Sequence, residues 1–162
     1  MSALILSCTT MQIPAQQSRS TALVVRVGPE VKLIPEQVSV HFLVPADNTA
    51  DSINQSAAVE AWVRAFPGQR IRLTAVLTSV QGPQGAVPDD AVRWTGSKSS
   101  ATGGGLAASC SSGTFAAGKA QELVSNWQES GIVACNLTLT LTNALSRFPG
   151  EYTGIVTFSV EN

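Results

Sequence analysis

The chain carries a single histidine and three cysteines, and charged residues make up only 13% of it. Each shortage excludes something. With one histidine, any serine or cysteine nucleophile would depend on His41 alone. No carboxylate stands at close spacing to it. No second cysteine follows any other at metal-ligand spacing, and the histidine is remote from all of them. Ten basic and eleven acidic side chains leave a net charge of -1. No block of like charge exists, so the footprint of a nucleic-acid binder is missing, as is a polybasic patch for an anionic membrane. No apolar run approaches the roughly 20 residues that a bilayer span needs. The chain is therefore expected to be no enzyme, to hold no cofactor or metal, and to contact no nucleic acid.

What is present in place of charge is Ser, Thr, Val, Ala and Gly, a mixture that favours strands and turns over solvated helices. Apolar and polar residues alternate in several segments, the mark of strands buried on one face. In 37–44, Val38, Val40, Phe42 and Val44 oppose His41. In 70–80, Ile71, Leu73, Ala75 and Leu77 oppose Arg70, Arg72, Thr74 and Thr78. The clearest case is 132–142, where Val133, Cys135, Leu137, Leu139 and Leu141 oppose Asn136, Thr138, Thr140 and Thr142. In 151–160, Tyr152, Val156, Phe158 and Val160 oppose Thr153, Thr157 and Ser159. Segment 21–27 sets Leu23, Val25 and Val27 on one side. Shorter strand candidates are 31–34, 59–66, 91–95 and 122–127, and the alanines of 55–63 also suit a short helix. Phe66-Pro67-Gly68 and Phe148-Pro149-Gly150 have the form of type II turns that launch strands. Residues 97–118, rich in Ser, Gly and Ala, read as a long mobile loop tethered by Cys110.

These signals predict an all-β fold: an antiparallel, immunoglobulin-like β-sandwich of roughly seven to nine strands with one disulfide. It is not a true immunoglobulin domain, because Cys110 and Cys135 stand too close in sequence for that family's bridge and Trp127 is wrongly spaced. Residues 19–162 form a single sandwich domain on this reading. Residues 1–18 are either a leader or a disordered N-terminal segment. Ala3-Leu4-Ile5-Leu6 followed by Ser7-Cys8 resembles the apolar core of a secretory signal without its basic start. It also resembles a lipobox in which Cys8 would be lipidated and anchored. Cys8 then belongs to the leader, and Cys110 and Cys135 remain as a natural disulfide pair, worth about 3.5 kcal/mol by loop entropy. A disulfide implies a secreted, cell-surface or periplasmic location.

The remaining motifs point to no chemistry. Gly113 to Lys119 has the spacing of a phosphate loop, but Ala120 stands where the magnesium-binding hydroxyl belongs and no strand precedes it. Asp47/Asp51 and Asp89/Asp90 lie among prolines and asparagines, where Asp serves turn geometry. Trp62, Trp94 and Trp127 fall in or beside strands. Each is either core packing or, if exposed, a platform for a carbohydrate.

Two segments resemble pilin-like secreted bacterial proteins. The closing run 149–160 (Pro-Gly-Glu-Tyr-Thr-Gly-Ile-Val-Thr-Phe-Ser-Val) is similar to the last strand of fimbrial subunits and spore-coat-U-like domains. The opening run 21–27 resembles the strand that chaperone–usher subunits donate to a neighbour. The late position of the cysteine pair and the terminal Glu161-Asn162 depart from that pattern. The resemblance implies a non-catalytic structural or adhesive protein of the bacterial cell surface, self-associating into a filament by donating Leu23, Val25 and Val27. The alternative is a secreted carbohydrate- or ligand-binding sandwich module.

Overall fold

The structure, a computed structural model, describes residues 28–161. The expected leader, Cys8 and the segment bearing Leu23, Val25 and Val27 lie outside the described residues.

Two antiparallel sheets enclose one apolar core. In the first, the spatial order is β1 (Glu30–Ile34), β3 (Ser52–Arg64), β11 (Gly131–Thr142), β7 (Val92–Gly103) and β9 (Ser112–Thr114). In the second, the short hairpin β6 (Gly85–Ala86) and β5 (Gln81–Gly82) leads to β12 (Gly150–Glu161), then β4 (Arg70–Leu77), β10 (Gln121–Gln128) and β8 (Ser109–Cys110). The remaining strand, β2 (Gln37–Val44), pairs with the opposite edge of β12, because Val156 meets Val38 on one side and Leu77 on the other. The eight strands of five residues or more answer to the expected sandwich; the other four are pieces of two or three residues.

β11 shows why the alternation was informative. It is paired along both edges, to β3 and to β7. Its main-chain groups are thereby satisfied, and its side chains need only choose a face. Val133, Cys135, Leu137, Leu139 and Leu141 are buried, while Asn136 and Thr138 are exposed. Val40, Phe42 and Val44 of β2, the Ile71–Leu77 row of β4, and Tyr152, Val156 and Phe158 of β12 complete the core as expected.

Three expectations are corrected. Residues 55–63 are not a helix but the middle of β3, where Ala57, Ala58 and Ala61 lie opposite Leu137, Asn136 and Val133. A long partner strand outweighs alanine's weak helical preference. Residues 97–118 are not a mobile loop. β7 runs through to Gly103, a 3-10 helix spans Gly104–Ala107, and β8 and β9 follow. The order comes from anchors among small residues: Phe115 is buried against Trp94 with ring centroids 4.6 Å apart, and its N–H donates to the Val92 carbonyl. Gly113 lies so close to Trp94 that a Cβ would stand 2.5 Å from the indole, so the glycine admits the ring. Finally, the two Phe-Pro-Gly motifs differ. Phe66-Pro67-Gly68 forms the expected turn, with Gly68 at φ 81° and Gln69 N–H donating to the Phe66 carbonyl. Gly150 of the second is already the first residue of β12. That corner is held instead by the Tyr152 hydroxyl, which donates to the Phe148 carbonyl at 2.8 Å.

Candidate functional site

The two lateral sides of the sandwich are built differently. On one side Cys110 of β8, in the second sheet, is bonded to Cys135 of β11, in the first, across a Cα–Cα distance of 6.0 Å. The expected disulfide is thus an inter-sheet staple. Around it the Lys98 ammonium donates to the Leu106 and Ala108 carbonyls, and Ser111 donates through both N–H and hydroxyl to the Leu123 and Glu122 carbonyls. This side is bridged by the disulfide and these hydrogen bonds, while β9 pairs β7 only at Arg93–Thr95.

The other side is open. β3 spans 13 residues, but β1 covers only Glu60–Arg64 along the edge that faces away from β11. Among the described residues, no strand is paired with that edge of 52–59, and β2 of the second sheet packs next to β3 without a ladder between them. In the second sheet β2 is likewise outermost. Strand alternation turns the main-chain groups of Gln37, Ser39, His41 and Leu43 away from β12. A single side chain spans this corner: the half-buried Gln55 of β3 accepts from His41 N–H at 2.6 Å and donates to the Ser39 carbonyl at 3.4 Å. The inward row here, Leu33, Val38, Ile53 and Ala57, is only partly buried although it packs on the core. Leu43 on the rim is 68% exposed. An exposed strand edge with half-covered apolar residues behind it is a template for another strand. On the outer face of this same half of β3, the small side chains Ser56, Ala58, Asn136 and Thr138 surround a shallow depression of about 460 Å³.

The three tryptophans separate. Trp94 and Trp127 are core residues, 5% and 0% exposed, so the carbohydrate-platform reading is corrected for both. Trp94 follows the inward parity of Val92, and Trp127 sits in β10 beyond two register shifts that turn Leu123, Val124 and Trp127 all inward. Trp62 is 45% exposed. It projects from the outer face of β3 between Lys32 of β1 and Ile132 of β11. Its indole N–H donates to the Glu60 carboxylate, the Lys32 ammonium lies 5.7 Å from its ring centroid, and Arg64 pairs with Glu30 at 3.5 Å. Glu30, Lys32, Trp62 and Arg64 line a cleft of about 310 Å³ with Ser130, Gly131 and Ile132.

His41 is exposed on β2, with Nδ1 2.9 Å from Glu151 Oε1. No hydroxyl or thiol nucleophile is bonded to it among the described residues. Asp51 serves the backbone, its carbonyl accepting from Ala144 N–H. Among the described residues no group of three or more His, Cys, Asp or Glu side chains is placed to hold a metal ion, and no helix is long and apolar enough to cross a membrane.

Fold and staple together define the class: an all-β sandwich of two antiparallel sheets, cross-linked on one side and open on the other. No protein family, no curated protein and no solved structure gives a significant match to the chain.

Proposed function

We propose that this chain is a non-catalytic structural or adhesive protein of the bacterial cell surface that self-associates by strand addition at the open side. The observation that carries the proposal is the edge of β3 at 52–59, which no strand pairs among the described residues and which Gln55 links by hydrogen bonds to the outer edge of β2. The donor is the segment bearing Leu23, Val25 and Val27. An added strand satisfies the edge with main-chain bonds and sets alternate apolar side chains against Ile53, Ala57 and Val38.

The path of the chain favours donation to a second copy. Glu30 pairs with Arg64 and Ile34 with Glu60, so β1 enters at the end of β3 remote from the open half. A chain reaching 52–59 from its own Gly28 would have to double back along the whole of β1. A neighbour's segment meets no such obstacle. The inter-sheet disulfide and the scarcity of charge suit an oxidising compartment outside the cytoplasm. A specific observation, the exposed Trp62, favours a second reading as a carbohydrate-binding module.

The test uses residues 28–162, which retain the core side chains of the described residues. This fragment should be a soluble monomer that binds a synthetic peptide spanning Ser20 to Gly28. A peptide with Val25→Asp should not bind, because its charge would enter an apolar site without a partner. A full-length chain that sediments as a monomer at all concentrations would contradict the proposal.

A further inference from the structure

We infer that the cleft over Trp62 is a binding site for a neutral sugar ring, one pyranose unit of a glycan. The inference rests on the second, carbohydrate-binding reading and is independent of strand addition, since the cleft lies on the outer face of the half of β3 that is already paired on both edges.

Indole is the largest apolar side chain, and the other two tryptophans of this chain are taken into the core. Trp62 is instead presented on the outer face, flanked by Glu60 and Arg64 along β3, by Lys32 on β1 and by Ile132 on β11. Its ring is not free to swing. Glu60 holds the N–H, the Lys32 ammonium stands over the ring, and the strand beneath is locked between β1 and β11. A rigid aromatic surface carried on strands binds with little loss of side-chain freedom. The floor is equally fixed: the Ser130 hydroxyl is engaged with both the N–H and the carbonyl of Ala65. The volume, about 310 Å³, falls at the small end of ligand clefts, suited to one ring rather than an extended peptide.

The charges choose the ligand class. Glu30, Lys32 and Arg64 line the cleft and Glu60 stands beside it on the indole N–H, two negative and two positive groups in all. They cancel, so neither an anion nor a cation is favoured overall, and Lys32 already takes the cation position over the ring. A sugar ring answers both features. Its C–H groups pack on the indole away from the Lys32 ammonium, and its hydroxyls, each donor and acceptor, meet a carboxylate and a guanidinium.

The measurement is acrylamide quenching of tryptophan fluorescence in the full-length protein, with and without neutral hexasaccharides of glucose, mannose and N-acetylglucosamine. Trp62 is the accessible fluorophore, because Trp94 and Trp127 are buried. At least one saccharide should shield it at millimolar concentration. Binding followed by calorimetry should weaken by about tenfold or more in Trp62→Ala and only a few-fold in Trp62→Phe. Unchanged thermal unfolding of both variants would confirm that the exposed ring serves the ligand and not the core. Failure of every saccharide to shield Trp62, an affinity unchanged in Trp62→Ala, or shielding by a cationic peptide instead would each overturn the inference.

Discussion

The stapled side and the open side of this sandwich are made from the same kinds of residue, Ser, Gly, Ala and Val, and reach opposite ends. On the stapled side, small residues let short strands pack against Trp94 and Phe115, and a covalent bond joins the sheets. On the open side, the alanines and serines of β3 leave an edge at 52–59 that no strand pairs among the described residues, and Gln55 links it to β2. The stapled side spends its small residues on closure, and the open side leaves room for a partner. A fold that invests a disulfide in one flank and a lone hydrogen-bonded side chain in the other resists unfolding at the first and accepts additions at the second.

The comparison can be broken by substitution. Cys135→Ser should lower stability by about 2–5 kcal/mol, read from chemical denaturation, because it frees the staple between the sheets. A loss below about 1 kcal/mol would mean that hydrogen bonds alone close that flank. Leu139→Ala, in the centre between the two flanks, should cost about 2–5 kcal/mol by opening a cavity in the core. Gln55→Ala on the open side should cost about 1 kcal/mol or less, since the groups it serves sit at an exposed edge that water reaches. A cost as large as that of Leu139→Ala would show the corner to be a sealed part of the core. Thr140→Ala should stay within about 0.5 kcal/mol, its hydroxyl bonding only to the Asn54 side chain on the outer face.

Much of the fold was legible because two-faced strands announce themselves. β2, β11 and β12 largely bury one parity and uncover the other. β4 does so until Thr74, which is buried with its hydroxyl donating to the Ser159 carbonyl. The pair Cys110 and Cys135 was left over once Cys8 was set aside. Residues 97–118 were illegible for the converse reason. Serine, glycine and alanine fit either face, so their order depends on contacts with Phe115, Trp94 and Leu123 that no local pattern records. The candidate sites divide in the same way. Trp62 shares the parity of Glu60 and Arg64, opposite buried Val59, Ala61 and Val63, but the competing helical pattern of 55–63 obscured that alternation and left all three tryptophans alike. Trp127 lies beyond register shifts and Asn126 at φ 58°, where parity fails. The open edge had no signal in the sequence. An unpaired strand is written like a paired one, and only the shortness of β1 against β3 exposes it.

Backbone hydrogen exchange on residues 28–162, with and without the peptide spanning Ser20 to Gly28, tests the open-side account most directly. The account predicts new protection at amides of 52–59 and along the outer edge of β2, including the groups of Ser39 and His41, with no change at β8 and β10. Protection confined to the stapled side, or none at any concentration of peptide, would contradict it.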